Sequence, residues 1–384
     1  MNKPKVIFTF GTRPEAIKMA PVIQTFLRDA DFTTKVVLTA QHREMLDQVM
    51  DIFKLQGDYD FNIMIQKQSL EFISSTVLTK FAEVLQTEKP DLVFVHGDTT
   101  TTFACSLAAF YQDIPVGHVE AGLRSDNLRN PFPEEMNRKL ADALCSLHFC
   151  PTIHAKNNIM KENLKSKGIF VTGNTVIDSL NYVVDYINEK TLESKPKDKS
   201  KKILVTLHRR ESWGNPIESV AKAIREVVME NEDVTVMFPI HKNPIVRESI
   251  MPILGNLPRI SIVEPLDYLS FILEMQSSYL IISDSGGIQE EAPSLGKPVL
   301  LTRVVTERPE GIESGVVRLI GTDFQTVKNE ITKLIRDERY YQKMVRIRNP
   351  FGDGKAAKRI LKETRSFFSL PVPDDLKNLG EFVP

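Results

Sequence analysis

Short, almost wholly apolar runs recur along this chain, and most are followed by a stretch with helical spacing of apolar residues. Lys5–Phe10, Val36–Thr39, Leu92–His96, Pro115–Val119 and Leu147–Cys150 are runs of this kind. A strand buried on both faces reads as nearly continuous apolar residues. Strands that alternate with helices imply parallel βαβ units with right-handed crossovers. The first helix has a readable start. Thr12 and Glu15 have the spacing of a capping box, and Pro14 suits a first helical turn. The segment from Gln41 to Phe53 reads as a further helix.

Near residue 173 the texture changes. Gly173–Leu180 reads as a turn opening a helix, and the lysine-rich stretch Lys195–Lys202 as a solvated loop. A second series follows, with strands at Ile203–Leu207, Val234–Phe238, Ile260–Val263, Leu280–Ser283 and Pro298–Leu301. Gly352–Asp353–Gly354 breaks the chain before a last helix from Lys355 to about Ser369. The reading is α/β, two doubly wound parallel-sheet domains. A length of 384 residues agrees, at about 150 residues per domain.

Composition removes several classes. Formal net charge is −1, from 49 Lys+Arg against 50 Asp+Glu, so nothing points to a nucleic-acid partner. With 42% hydrophobic and 26% charged residues, the chain is not an extended disordered one. It holds no run of 18 apolar residues, so no membrane span or membrane partner is expected. The N-terminal residues show no secretory apolar region. Cys105, Cys145 and Cys150 read as reduced core residues, which implies a cytoplasmic location.

Open α/β sheets bind ligands beyond the carboxyl ends of their strands, and the unusual polar residues lie there. Arg13 and Lys18 follow the first strand, Asp98 follows His96, and Glu120 follows Val119. His208, His241 and Asp284–Gly287 hold the same kind of position in the second half. Ser285–Gly286–Gly287 opens a helix with two small residues, where free N–H groups and the positive dipole end suit a diphosphate. Glu291, one turn on, suits ribose hydroxyls. A plain serine-capped turn explains the same letters. No Walker-type Gly-Lys-Ser/Thr and no G-x-G-x-x-G after a strand occurs, which lowers the case for an NTPase or a nicotinamide enzyme. Arg13 and Arg308 sit in matching contexts, Thr-Arg-Pro-Glu and Glu-Arg-Pro-Glu, at expected helix starts. Asp98 and Glu134 have bland readings as helix-terminal residues, whereas Glu120 at a buried strand end is costly without a partner. Clustered carboxylates suit Mg²⁺ chelation or acid/base chemistry. His96 and His118 lie within strands and read as hydrogen-bonded core residues. The histidines and cysteines show no zinc-ligand spacing.

Eight motifs occur in order. They are Phe10–Lys18 (FGTRPEAIK), His96–Thr100 (HGDTT), His118–Arg124 (HVEAGLR), Pro133–Arg138 (PEEMNR), His208–Glu211 (HRRE), Asp284–Glu291 (DSGGIQEE), Thr306–Glu310 (TERPE) and Asn349–Gly354 (NPFGDG). In this set, from about residue 5 to about 365, the chain resembles the bacterial non-hydrolysing UDP-N-acetylglucosamine 2-epimerases. The resemblance implies a GT-B fold, two Rossmann-like domains with the active site in the cleft between them. Residues 1–174 would form the first domain, residues 175–354 the second and UDP-binding one, and a C-terminal helix of about 355–384 would pack back on the first.

The implied reaction is inversion at C2 of UDP-N-acetylglucosamine to UDP-N-acetylmannosamine. It proceeds through loss of UDP, an enzyme-bound 2-acetamidoglucal and re-addition, and would supply surface polysaccharide synthesis. By the resemblance Asp98, Glu120, Glu134 and His208 are catalytic. Asp98 and Glu134 take the two C2 proton transfers, Glu120 assists or orients near the sugar, and His208 stabilises the departing diphosphate or acts as an acid. Arg13, Lys18, Ser285, Gly286, Gly287, Glu291 and Arg308 would hold UDP, with Phe271 lining the uracil pocket. No cofactor or metal is implied, and a homodimer is. Some members are activated by substrate at a second site, to which Gln41, His42, Lys67, Gln68, Arg209 and His241 correspond. Two departures stand out: Glu44 and Lys67 where regulated members carry Gln and Arg, and Arg303–Val304–Val305 where Asp-Thr commonly precedes Thr306. Three other readings fit parts of the pattern: a GT-B glycosyltransferase, a hydrolysing epimerase that releases N-acetylmannosamine, and a non-catalytic nucleotide-sugar sensor.

Overall fold

The apolar runs pair side by side in two all-parallel sheets. The structure, a computed structural model, describes residues 3–39, 43–64, 68–164, 166–190, 200–209 and 213–384. The first sheet holds β1 (Lys5–Phe10), β2 (Thr33–Leu38), β3 (Tyr59–Asp60), β4 (Leu92–His96), β5 (Val116–Val119), β6 (Leu147–Cys150) and β7 (Gly168–Val171). Its order is β3-β2-β1-β4-β5-β6-β7. The second holds β8 (Lys201–Thr206), β9 (Val234–Pro239), β10 (Ile260–Val263), β11 (Leu280–Ser283), β12 (Val299–Leu301) and β13 (Val317–Leu319), in the order β10-β9-β8-β11-β12-β13. Both are doubly wound, and each reverses its strand order beside its first strand, where such sheets bind ligands.

Three strands absent from the sequence reading, β3, β7 and β13, are all sheet edges. They have two, four and three residues and are mostly half-buried, so they lack a long apolar run. Lys201 and Lys202 are not part of a loop, because they begin β8. Residues 191–199 lie outside the described residues.

By internal packing the chain divides into residues 1–182 with 351–383, and residues 183–350. The division at Tyr182 falls inside the helix Thr175–Lys190, eight residues beyond the expected 174. The core of the first unit is aromatic. Phe8 stacks on Phe94 with ring centroids 4.6 Å apart, and Phe26 meets both edge-on. The second unit packs aliphatic residues such as Val205, Ile224 and Leu300 around Phe238. The three cysteines are buried and unpaired, and burial pushes the Cys105 thiol up to about 12.

The helix Ala356–Phe367 belongs to the first unit through polar anchors. Arg365 bridges Asp29 and Asp31, and Arg359 grips Asp353 with two bonds at 2.7 and 2.8 Å. At the helix start, Asp178 accepts the N–H groups of Ala356 and Ala357 at 3.1 and 2.9 Å. Burial lifts the Asp178 carboxyl to about 7, and these two bonds offset it in part. A raised native value means that the folded state holds the proton more tightly than the unfolded one. Asp178 therefore costs stability as pH rises from about 4 to about 7. We expect Asp178→Asn, which keeps an oxygen acceptor, to gain on the wild type across that window and to hold its gain above it. Denaturant midpoints at pH 4, 5.5 and 8 check this. A pH-independent difference between the two proteins would contradict it.

Candidate active site

In the first unit, the register of β4 on β5 pairs His96 with Val119, so Gly97–Asp98 and Glu120 leave the sheet side by side. Both departures are left-handed, at φ +67° for Gly97 and +66° for Glu120. Glycine takes that conformation freely. A glutamate there is strained, which is a mark of functional positions. Asp98 is not a helix cap, since the cap of Thr100–Phe110 is Thr99, whose Oγ1 accepts from the Thr102 amide.

The helix Glu134–Leu144 braces the Asp98 turn. Asn137 donates to the Asp98 carbonyl at 3.0 Å, and the Arg138 guanidinium pairs with the Asp98 carboxylate. Glu134 lies three and four residues earlier, on the same helix face. Its Oε2 is shielded from solvent and has no hydrogen-bond partner among the described residues. The helix that braces the Asp98 turn is thus the one that carries Glu134 in its first turn.

Lys18, expected among the diphosphate ligands, meets the Glu120 carboxylate. Asn174 donates to the same oxygen at 2.8 Å. His96 Nε2 lies 4.0 Å from it, and neither His96 ring nitrogen has a hydrogen-bond partner among the described residues. Burial drives the His96 imidazole down to about 4 against the pull of Glu120, so the ring is neutral near pH 7. The place of His96 within a strand predicts a bonded core ring, and the structure departs from that. His118 does fit that reading, with Nδ1 2.6 Å from Asp142 and Nε2 2.7 Å from the Gly97 carbonyl. Asp142 is fully buried and also accepts from Arg124 at 2.7 Å. Burial would raise its carboxyl, but His118 and Arg124 outweigh that and hold it at about 2. Arg13 opens the first helix, Arg13–Leu27, half-buried. Glu15 accepts the amides of Gly11 and Thr12 at 3.0 and 2.8 Å, the expected reach of a capping glutamate.

In the second unit β8 and β11 are paired with Thr206 against Ser283, which sets His208 beside Asp284. Asp284 is buried, accepts the amides of His208 and Arg209 at 2.8 Å each, and lies 2.7 Å from His208 Nδ1. Burial acts to raise the Asp284 carboxyl, but His208 and the two amides bring it below its usual value. Sequence reading placed Asp284 in a turn and missed that it orients His208. Ser285 stands at the cap position of the helix Gly286–Glu291, but its side chain makes no cap hydrogen bond. Gly286 lies under Arg308, where an added Cβ would come 2.6 Å from Nη1. Arg308 pairs with Glu290 at 2.6 Å and Glu307 at 2.7 Å. Burial works to raise Glu307, yet Arg308 and Arg303 bring it to about 2. Arg303, one of the departures, joins this set at 2.7 Å from Glu307, while Thr306 bonds Gln289 and the Arg308 amide. Glu291 accepts from Tyr268 at 3.1 Å, and Phe271 lies half-buried on the helix Tyr268–Ser277.

Of the residues matched to a second substrate site, Gln41, His42 and Lys67 lie outside the described residues. Gln68 is half-buried, and its Oε1 has no partner among the described residues. Arg209 lies 3.5 Å from Glu307. The His241 ring lies 6.0 Å from that of His208, and burial and His208 lower its imidazole.

A sequence model of the family UDP-N-acetylglucosamine 2-epimerase matches residues 24–365. A UDP-N-acetylglucosamine 2-epimerase of Bacillus subtilis is 51% identical over 364 residues, covering 94% of this chain and 95% of that one. The crystal structure of UDP-GlcNAc 2-epimerase from Neisseria meningitidis bound to UDP-GlcNAc is 48% identical, with TM-score 0.87 over 94% of this chain and 100% of the other. A Methanocaldococcus jannaschii UDP-GlcNAc 2-epimerase in complex with UDP-GlcNAc and UDP is 31% identical, with TM-score 0.75 over 94% and 99%.

The buried pair Arg124–Asp142 and its exposed neighbour Arg124–Glu162 make a direct comparison. Arg124→Met removes one partner of a buried carboxylate and is expected to cost about 3–5 kcal/mol in denaturant unfolding. Glu162→Gln is expected to cost less than about 1 kcal/mol. Equal costs would remove Asp142 from its place as the structural anchor.

Proposed function

The chain belongs to the UDP-N-acetylglucosamine 2-epimerase family, and from that membership we propose how its residues invert C2 of the sugar. The C2 hydrogen is not acidic, so direct deprotonation is prohibitive. A carboxylate removes the C2 proton as the C1–O bond breaks. The C2–H electrons form the C1=C2 double bond, and the C1–O pair leaves with UDP. The intermediate is 2-acetamidoglucal. UDP oxygen then re-forms the bond to C1, while a second acid delivers a proton to the opposite face of C2. Proton removal and return on opposite faces need two separately placed groups, which we assign to Asp98 and Glu134. Glu120, tied to Lys18 and Asn174, orients the sugar. Positive character developing at C1 is eased by nearby carboxylates.

The departing diphosphate needs cations and fixed donors. His208, Arg13, Lys18, Arg308, Ser285, Gly286 and Gly287 fill that part of the reading, with Glu291 for the ribose and Phe271 for the uracil. The product would feed surface polysaccharide synthesis from the cytoplasm, and the working form would be a homodimer. The observation that carries the reading is that Asp98 and Glu120 leave neighbouring strand ends and the helix carrying Glu134 braces the Asp98 turn, in a chain half identical to epimerases.

The test is incubation with UDP-N-acetylglucosamine alone in D₂O. Deuterium at C2 and the manno epimer are expected. Sugar transfer only on adding an acceptor, with no exchange, would replace the reading with a glycosyltransferase, and free N-acetylmannosamine as main product with a hydrolysing epimerase. A second expectation concerns Gly286→Ala. The new methyl displaces Arg308, and loss of a charged hydrogen bond of about 1.5–3 kcal/mol should weaken UDP binding roughly 10- to 100-fold. Calorimetric titration measures it, and unchanged affinity would remove Arg308 from the UDP site.

A further inference from the structure

Both ring nitrogens of His118 face groups that accept. Nε2 is 2.7 Å from the Gly97 carbonyl oxygen, which has no proton to give, so Nε2 donates. Nδ1 is 2.6 Å from Asp142 Oδ1. The other Asp142 oxygen takes an N–H of Arg124 at 2.7 Å. A fully buried carboxyl that takes a guanidinium N–H on one oxygen is placed to be an ionised carboxylate, with no proton of its own to give. Nδ1 must therefore donate as well. We propose that His118 is a buried imidazolium, anchored by Asp142, that positions the Gly97–Asp98 turn for proton transfer by Asp98. The inference rests on the role assigned to Asp98 and deepens it.

The surroundings fit a charged ring. Arg124 divides its bonds between Asp142 and Glu162, which Lys139 also meets at 3.8 Å, so Arg124 does not neutralise Asp142 by itself. The other histidines near it, His96 on β4 and His148 on β6, do not compete for the charge. Burial lowers both, His96 to about 4. His148 is directly opposite His118 in the sheet, but its Nε2 bonds the Asp142 carbonyl and its Nδ1 the Ser166 hydroxyl, which can donate.

The functional consequence is geometric. Gly97 has a φ of +67° and so sits in a shallow, permissive conformation. Its carbonyl is held by His118, the Asp98 carbonyl by Asn137, and the Asp98 carboxylate by Arg138. Asn137, Arg138 and Asp142 all come from the helix Glu134–Leu144. His118 is thus a positioning residue that ties the Asp98 turn to the helix carrying Glu134. A misplacement of about 1 Å in a reacting group costs on the order of 100-fold in rate.

The experiment uses the full chain labelled with ¹⁵N-histidine, near neutral pH. We expect one histidine, identified by its loss in His118→Gln, to carry protons on both ring nitrogens. A bare nitrogen on that ring overturns the imidazolium. In kinetics, His118→Gln keeps an amide N–H near the Nε2 position, whereas His118→Leu offers no donor. His118→Leu is expected to lower kcat for C2 exchange about 100-fold with little change in KM, and His118→Gln to recover part of that loss. Equal losses in both variants, or a change confined to KM, overturn the positioning role. A wild-type protein without C2 exchange overturns the functional reading and the positioning role with it, whereas the doubly protonated ring stands or falls on the spectrum alone.

Discussion

The site in the first unit depends on one buried charge, the carboxylate of Asp142. Taking a carboxylate wholly out of water costs several kcal/mol unless it is paired and hydrogen-bonded. Here one oxygen faces His118 and the other Arg124, and the residue's own carbonyl accepts from His148. These bonds lock the last turn of the helix Glu134–Leu144 against β5 and β6. The same helix presents Glu134 in its first turn and Asn137 and Arg138 between. An anchor at one end therefore fixes the register of acid/base candidates at the other. A network of this kind is weak evidence for net stability, since an apolar replacement often does as well. Its value is that it admits one arrangement.

The second unit solves the corresponding problem with Asp284. β8 and β11 end together, and the buried Asp284 carboxylate collects the two amides that follow β8 while orienting the His208 ring. Arg308 is held in the same spirit. It lies against a glycine that leaves room for it and is gripped by Glu290 and Glu307. Cations fixed before a ligand arrives need no reorganisation when charge develops. Arg303 strengthens that grip through Glu307, so the unusual Arg303–Val304–Val305 segment leaves the Thr306–Arg308 bonds in place.

Much of this was legible because strand ends are legible. Apolar runs that stop at His96, Val119 and Ser283 announce where the next polar residue must stand, and Asp98, Glu120 and Asp284 stand there. Edge strands were not legible. Tyr59–Asp60 and Val317–Leu319 are too short to carry a period, and they exist because a neighbour offers unpaired backbone groups. Partnerships across the fold were equally hidden. Asp142 is one polar letter in a helix, and nothing in its local pattern says that it meets His118 from 24 residues away. Lys18 stands just past a strand end, and nothing in its local pattern says that its ammonium meets Glu120, 102 residues on. His96 sat in an apolar strand and suggested a satisfied core ring. It is a buried ring without a hydrogen-bond partner among the described residues, beside a strained glutamate.

That last group bears on how the three carboxylates divide the work. Glu120 Oε2 is occupied by Lys18 and Asn174, and the Glu120 backbone is held at φ +66°. A carboxylate fixed by an ammonium, an amide and a strained backbone is a poor shuttle, because each proton it took would disrupt the bonds that place it. It is a good fixed charge beside a sugar ring. Glu134 is the opposite case. It opens a helix, and its shielded Oε2 has no partner among the described residues, so gaining or losing a proton there breaks no internal bond at that oxygen. Asp98 stands between them, with one carboxylate oxygen tied to Arg138 and its backbone braced by Asn137. For the proposed reaction, the physical ranking of these environments thus favours Glu134 and Asp98 for the moving protons and Glu120, beside the neutral His96 ring, for the fixed charge.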